Sequence, residues 1–233
     1  MNSRTEIPTG SGKMRVMLRD RVLDRLANPY SPASLGARAR RRRFDDLVAR
    51  FPDFEDMHIV DLGGTTQSWL SAPVRPRRVT VVDIHDWALE NPEPWMEVVQ
   101  GDACDASTVS GTFDLVFSNS VIEHVGGPRC RRGFAQTVHV LSQHHWIQTP
   151  YRYFPLEPHF LVVGFQFLPL AARVALSKRW WLAPRRRRTD TDHVEFVSDH
   201  ELLTVTEMRA LFPQSELVRE RSLGLVKSLV AVR

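Results

Sequence analysis

Two carboxylates that could hold a ligand lie at the ends of short apolar runs. Asp61 comes just before the pair Gly63 and Gly64, and Asp83 ends a second apolar run 22 residues later. Glycines allow the backbone to approach a ligand more closely than any Cβ would permit. A carboxylate about 20 residues after such a turn can accept hydrogen bonds from both hydroxyls of a ribose. The spacing favours a nucleoside-containing ligand, with helix capping as the structural alternative and Asp86 as a rival acid.

Two further segments carry polar groups after apolar runs. Asp102 follows Gln100 and Gly101, where a carboxylate could accept the exocyclic amine of adenine, and residues 113–125 contain the pair Glu123 and His124. An imidazole has an unperturbed pKa of about 6.5, which suits it to remove a proton from a hydroxyl group near neutral pH. His124 is therefore one candidate base, with lining of a ligand pocket as the alternative role.

A proline-rich segment, residues 148–160, supplies a second set of polar side chains. Prolines at three positions stiffen this segment. His159 is the second candidate base, and Glu157 could orient it or help to hold a divalent ion. Tyr151 and Tyr153 are candidates to contact an acceptor molecule. The sequence leaves Mg²⁺-assisted deprotonation open, although no ligand spacing demands a metal.

Short apolar runs alternating with helical segments predict a mostly parallel sheet with crossover helices. We expect seven strands, the last of them antiparallel, at residues 58–62, 78–83, 97–100, 113–118, 145–148, 216–222 and 226–232. Helices are predicted over residues 14–27, 34–51 and 201–211, the last capped by Asp199 or Ser198. His144 and His145 would then lie at the end of the sheet away from the carboxyl ends of the strands.

The expected domain organisation has two parts. Residues 1–51 form an N-terminal tail and helices, and residues 52–233 form the main domain, with a cap insertion at about 151–191. The insertion contains an apolar stretch, the pair Trp180 and Trp181, and the arginine run 185–188. Its apolar stretch is too short and too interrupted to cross a bilayer, but aromatic and basic residues suit a peripheral membrane contact.

The segments at residues 59–66, 79–83, 100–103 and 113–125, in this order and spacing, resemble the class I S-adenosylmethionine-dependent methyltransferases of the small-molecule branch. The resemblance implies a Rossmann-like fold, S-adenosyl-L-methionine as cofactor, and an acceptor at the carboxyl edge of the sheet. The cofactor residues that it implies are Asp61, Gly63, Gly64, Asp83, Ile84, Asp102, Ala103, Ser118 and Asn119. The family carries three glycines at alternate positions, whereas Thr65 and Gln67 occupy the second and third of these positions here.

The chain is also similar to actinobacterial sugar O-methyltransferases, of the kind that act in mycobacterial methylmannose polysaccharide synthesis. This similarity implies a saccharide or small-molecule hydroxyl as acceptor, a quinone or lipid being the nearest alternative. The arginine clusters and the pI of about 9.5 would suit nucleic acid. However, the sequence has no Asn/Asp-Pro-Pro-aromatic signature and no catalytic cysteine context. A non-catalytic cofactor-binding module at a membrane surface is the alternative from another class.

Composition and cysteine content bound the setting of the protein. A hydrophobic fraction of 42% and a charged fraction of 25% exclude disorder of the whole chain. Two cysteines, Cys104 and Cys130, predict a reducing compartment without a disulfide framework. With no signal peptide evident at the start of the sequence, we expect a cytoplasmic protein. A homodimer is compatible with the sequence.

Overall fold

The computed structural model describes residues 35–179, 189–198 and 200–233. The helices are α1 (Leu35–Arg50), α2 (Thr66–Leu70), α3 (Pro128–Leu141), α4 (Leu170–Arg179), α5 (Asp190–Ser198) and α6 (Val205–Leu211). The strands are β1 (His58–Leu62), β2 (Arg78–Asp83), β3 (Met96–Gln100), β4 (Leu115–Asn119), β5 (His145–Pro150), β6 (Leu156–Glu157), β7 (Val162–Val163), β8 (Glu216–Ser222) and β9 (Leu225–Val232). The predicted helix at 14–27 and the pair Trp180 and Trp181, with the arginine run, lie outside the described residues.

Seven strands form one sheet in the order β3-β2-β1-β4-β5-β9-β8. Strands β1 to β5 pair in parallel, and β9 runs antiparallel to both of its neighbours, β5 and β8. The predicted seven-stranded, mostly parallel sheet with an antiparallel last strand is confirmed. Strand boundaries differ from the predicted ones by one or two residues, as expected for ends defined by turns.

Successive side chains of the central strands point to opposite faces of the sheet and pack into two hydrophobic cores, one on each face. Val60 packs on the face covered by α3 and α6, where Phe134 is fully buried. Its neighbour Ile59 packs on the opposite face with Leu47 of α1. Each such side chain contributes about 1.5–3 kcal/mol by leaving water. Asp61, two residues after Ile59, lies on the same face of the sheet as Ile59, where it lines a cleft together with Phe44 of α1 and Trp69.

The helix predicted at 201–211 is shorter than expected, and its predicted caps are wrong. Helix α6 begins after Thr204, whose side chain accepts a hydrogen bond from the backbone N–H of Glu207, while the Glu207 carboxylate accepts one from the Thr204 backbone N–H. This reciprocal capping box fixes the start of the helix. Ser198 instead ends α5, and Asp199 lies outside the described residues.

The insertion after β5 has a small core of its own. Strands β6 and β7 form a short antiparallel pair, and Phe160, Phe165 and Val197 bury themselves together between this pair and α5. The rings of Phe160 and Phe165 stack with centroids 4.0 Å apart. Across the described residues, helices are too short or too polar to span a bilayer.

Candidate active site

The carboxyl ends of β3, β2 and β1 lie side by side, because these strands are neighbours and run in parallel. Asp61 is the last residue but one of β1, Asp83 ends β2, and Asp102 follows β3 by two residues. The charge of Asp83 is close enough to contribute to raising the pKa of Asp61. The three predicted carboxylates therefore gather along one edge of the sheet, where ligands of open α/β sheets bind.

Asp61 is almost completely buried, with 2% of its surface exposed. One carboxylate oxygen, Oδ2, accepts a hydrogen bond of 2.7 Å from Nε1 of Trp69, whereas Oδ1 has no partner among the described residues. Burial raises the pKa of Asp61 to about 7, the charge of Asp83 adds to the rise, and the Trp69 hydrogen bond opposes it. A buried carboxylate oxygen without a partner is costly, and a cationic or N–H-bearing ligand group would satisfy it.

Both glycines after β1 are required by the space around them. Gly63 has a φ of +77°, and a Cβ added there would lie 2.4 Å from Cγ1 of Val121. A Cβ on Gly64 would lie 1.7 Å from Oδ2 of Asp61. Thr65 caps α2 by accepting a hydrogen bond from the Ser68 backbone N–H. At the second family position, the glycine is therefore replaced here by a helix cap.

Helix α1 forms one wall of the cleft beside this glycine turn. The Arg43 guanidinium donates to Oδ1 of Asn119 at 2.6 Å and pairs with both carboxylate oxygens of Glu220, at 2.6 and 2.7 Å. Arg43 thereby ties α1 to the end of β4 and to the C-terminal hairpin. The cleft is lined by Arg40, Arg43, Phe44, Asp61, Gly64 and Trp69, among others.

The other predicted cofactor residues lie at the same edge but differ in accessibility. Ile84 is 58% exposed, while Ala103 is buried in the core with 8% exposed. Ser118 is fully buried, and its hydroxyl donates to the Leu62 carbonyl at 2.8 Å, which ties β4 to the glycine turn. Asn119 lines the cleft with Arg43. Ile84 therefore presents an apolar surface to a ligand, whereas Ser118 lies beneath the cleft.

Three histidines from three separate segments meet at the same edge of the sheet. His124 follows β4, His159 lies between β6 and β7, and His200 follows α5. Their ring centroids are 4.6 to 4.8 Å apart, and one ligating atom from each lies within 4.8 Å of the others. We call this set the histidine cluster. It unites both candidate bases with a third imidazole that sequence reasoning missed.

Glu157 and His159 form a buried dyad. Nδ1 of His159 donates to Oε1 of Glu157 at 2.7 Å, and the other Glu157 oxygen accepts the Phe160 backbone N–H at 2.6 Å. Burial by itself lowers the pKa of His159, but the hydrogen bond to Glu157 and its negative charge outweigh this effect and the pKa is raised. Burial and the two neighbouring imidazoles lower the pKa of His124 to about 3. The neighbouring histidines therefore differ strongly in basicity.

Glu123 interacts electrostatically with His159 of the histidine cluster and with Arg43, which lines the cleft. It is fully buried, its Oε2 accepts the Thr149 hydroxyl at 2.9 Å, and its Oε1 lies 3.9 Å from Nε2 of His124. Burial raises the pKa of Glu123 to about 7, against smaller lowering effects from His159 and Arg43. The charges of His159 in the cluster and of Arg43 in the cleft wall therefore both influence the protonation of Glu123.

Tyr151 and Tyr153 lie on the exit from β5. Their rings are 5.5 Å apart, and Tyr153, 58% exposed, stacks on Phe167 at 6.0 Å. This pair presents an aromatic surface to solvent at the acceptor side. His144 and His145 lie at the opposite end of β5, as predicted, where Nε2 of His145 pairs with the Ser215 hydroxyl at 2.7 Å.

Comparison with known proteins shows which fold this chain has. Residues 60–147 match the family model described as a methyltransferase domain, while no curated protein matches the chain. The N-methyltransferase NodS from Bradyrhizobium japonicum WM9, in complex with S-adenosyl-L-homocysteine, is 14% identical with a TM-score of 0.52, over 94% of this chain and 96% of that chain. The fold is the Rossmann-like methyltransferase fold.

Another similar structure is magnesium protoporphyrin IX methyltransferase from Synechocystis PCC 6803, with bound S-adenosyl-L-homocysteine. It is 13% identical with a TM-score of 0.52, over 96% of this chain and 94% of that chain. At such identities the likeness concerns the fold alone.

Within this methyltransferase fold, three residues of the site escaped the sequence reasoning. Arg43 belongs to one of the arginine clusters considered from the sequence only for nucleic-acid binding, and its pairing with Glu220 is visible only in three dimensions. Trp69 belongs to a helix too short to show periodicity. His200 lies between Asp199 and Glu201 next to a misplaced helix start, and no motif in the sequence sets it apart.

Proposed function

We propose that the chain is an S-adenosyl-L-methionine-dependent methyltransferase that acts on a hydroxyl oxygen of a small molecule, with a saccharide as the favoured acceptor. The family match and the fold support the reaction class. The observation that carries the proposal is Asp61, whose buried Oδ1 has no partner among the described residues and faces a glycine turn beside a cleft. A ligand with a cationic amino group fits that oxygen.

The residues at the strand ends fit the parts of this cofactor in turn. Asp61 would take its ammonium group, Asp83 the ribose hydroxyls and Asp102 the adenine amine, while exposed Ile84 offers an apolar contact to the adenine ring. Gly64 would keep the backbone low enough for this approach. When bound, the cofactor supplies a methyl group already activated on a sulfonium.

The chain's own task in methyl transfer is to orient the acceptor and to remove its proton. Within the histidine cluster, His159 is the base, because Glu157 holds its Nδ1 proton and leaves Nε2 as the accepting atom. The raised pKa of His159 makes it a stronger base than His124, whose pKa is lowered to about 3. His124 and Glu123 line the acceptor side.

The acceptor class follows from the surface around the cluster. A saccharide needs several hydrogen-bonding groups, which the histidine cluster and Tyr151 supply, and an apolar face, which the Tyr153–Phe167 stack offers. A second candidate is a quinone or lipid hydroxyl, favoured by the exposed apolar side chains of Phe167, Leu168 and Leu170, which are 53%, 38% and 42% exposed.

Incubation of the full chain with methyl-labelled cofactor and separate panels of saccharides, phenols and lipid extracts tests this function. We expect label in the saccharide panel, released as an O-methyl ether. Label in the lipid panel alone would select the second candidate. Calorimetry that detects no cofactor binding, together with no labelled product, would reject the proposal.

A further inference from the structure

We propose that the histidine cluster, His124, His159 and His200, is a binding site for a divalent transition metal, with Zn²⁺ as the type case. The three imidazoles come from three separate segments, the β4 exit, the β6–β7 turn and the segment after α5. One ligating atom of each lies within 4.8 Å of the others. Three ligating side chains with an open fourth position are typical of catalytic zinc sites.

Two of the three rings have the outer hydrogen-bond partners that metal-ligating histidines usually have. Ligating histidines almost always donate their second N–H to a carboxylate or a backbone carbonyl, which fixes the tautomer. Nδ1 of His159 donates to Glu157, and Nδ1 of His200 lies within hydrogen-bond distance of the Phe196 carbonyl oxygen. In both rings Nε2 is then the atom that carries the lone pair.

The outer partners are themselves anchored. Glu157 is 2% exposed and accepts the Phe160 backbone N–H through its second oxygen. Phe196 lies in α5 and packs against Phe160 with ring centroids 5.3 Å apart. The small core of the insertion therefore holds both second-layer groups, and His124 approaches them from the main sheet.

The donor set selects the metal class. Neutral imidazole nitrogens suit zinc, copper, nickel or iron, whereas Mg²⁺ prefers oxygen ligands in an octahedral arrangement. A zinc ion bonded at about 2.0–2.1 Å needs nitrogens roughly 3.3 Å apart. The ligating atoms lie within 4.8 Å of one another and must approach by up to about 1.5 Å to reach this spacing. The side chain of His124 is the more exposed of the two for which a fraction is known, 34% against 20% for His159.

This inference rests on the proposed function only for the role of the metal, not for its binding. Ligation through Nε2 of His159 would use the lone pair that the metal-free cluster uses as a base. A loaded site would activate an acceptor hydroxyl by coordination at the open fourth position, which lowers the pKa of the bound oxygen, so that its proton passes to solvent before the oxygen takes the methyl group. The class of metal and the ligand count do not depend on the identity of the acceptor.

The test is a titration of the untagged, metal-stripped full chain with Zn²⁺ by calorimetry, and with Co²⁺ by absorption spectroscopy. We expect one equivalent of tight binding and the d–d bands of four-coordinate Co²⁺. The His200→Ala variant should lose the tight equivalent and the bands, and Glu157→Gln should weaken binding about 10–100-fold. His144→Ala, which removes an exposed histidine outside the cluster, is the matched control and should bind as the parent does.

Retained stoichiometry and spectrum in His200→Ala would overturn the site, as would an absence of tight binding in the parent chain. Circular dichroism and thermal unfolding show whether each variant is folded, and His200→Gln replaces His200→Ala if the latter is not. Calorimetry with S-adenosyl-L-methionine on the same samples separates the two proposals. A chain that binds the cofactor but no metal loses this inference alone, and one that binds metal but no cofactor loses the proposed function alone.

Discussion

The edge of the sheet that carries the three carboxylates, proposed to hold the cofactor, and the histidine cluster, proposed to form the acceptor side, are built in different ways. Asp61, Asp83 and Asp102 lie within 42 consecutive residues, each at the tip of one of three neighbouring parallel strands. His124, His159 and His200 span 77 residues and come from the main sheet and the insertion. The first group is positioned by repeated strand–helix units, and the second by tertiary packing.

The difference lies in what holds each group in place. Hydrogen bonds and register along β1, β2 and β3 fix the carboxylates to the edge of one sheet. The histidines His159 and His200 depend on the small core of Phe160, Phe165 and Val197. The histidine cluster thus depends on a small core separate from the main sheet, which fits the usual placement of function on loops carried by a scaffold.

The largest expected effect separates the two regions by kinetics. His159→Ala should lower kcat about 10²-fold or more, because it removes the base, or a metal ligand in the loaded site. This loss corresponds to at least about 2.7 kcal/mol in the barrier. Steady-state kinetics with the acceptor found by labelling, and calorimetry with S-adenosyl-L-methionine, are the measurements. Cofactor affinity should stay nearly unchanged, because His159 belongs to the acceptor side.

His144→Ala is the control, since this histidine lies at the opposite end of β5 and is exposed. Glu157→Gln should give an intermediate loss of kcat, because the amide can still orient the ring but carries no charge. Equal loss of cofactor affinity and kcat in His159→Ala would show that the two regions are not separable.

The next effect concerns the cofactor edge alone and is seen as a dependence of stability on pH. Burial raises the pKa of Asp61 from 3.8 to about 7. The folded protein without ligand therefore binds a proton at this site more tightly than the unfolded chain does. Its stabilising contribution is complete below the unfolded pKa and is lost as the pH rises through about 7.

Asp61→Asn isolates this contribution, because the amide keeps a similar shape and cannot ionise. Between about pH 5 and about pH 8, the parent chain should lose roughly 2–3 kcal/mol of unfolding free energy relative to the variant. Urea unfolding at each pH gives this difference. Parallel pH profiles for parent and variant would show that Asp61 is not a buried carboxylate, and would break the contrast with the better solvated Asp83.

The positions of the carboxylates at the strand ends could be predicted from the sequence. The meeting of the three histidines in one cluster could not. Alternating apolar runs and the acid–glycine turn are local signals, so the carboxylates Asp61 and Asp83 could be placed before the structure was known. His200 could not, because nothing in its local sequence encodes contact with His124, 76 residues away. The capping box at Thr204 was the overlooked signal that would have moved the start of α6 and placed His200 in a loop.

Arg43 shows the same limit from the other direction. When a helix contains several arginines, nothing in the sequence distinguishes an arginine that is exposed to solvent from one that forms an ion pair. In the structure, its ion pair with Glu220 joins residues 177 positions apart and leaves its side chain 11% exposed. Long-range partners of this kind depend on how the C-terminal hairpin packs on α1, which periodicity does not report.

The smallest expected effect tests the outer part of the cofactor edge. Asp83 ends β2 and is partly exposed, and its Oδ1 accepts a hydrogen bond of 2.8 Å from the His85 backbone N–H. Asp83→Ala should weaken S-adenosyl-L-methionine binding by about 1.5–2 kcal/mol, the lower part of the range for hydrogen bonds to a charged group, because Asp83 is partly exposed. Calorimetry measures this change. Asp86→Ala, an exposed acid in the next turn, is the matched control. A larger loss in Asp86→Ala than in Asp83→Ala would transfer the ribose role to Asp86, because strand-end position would then matter less than reach into the cleft.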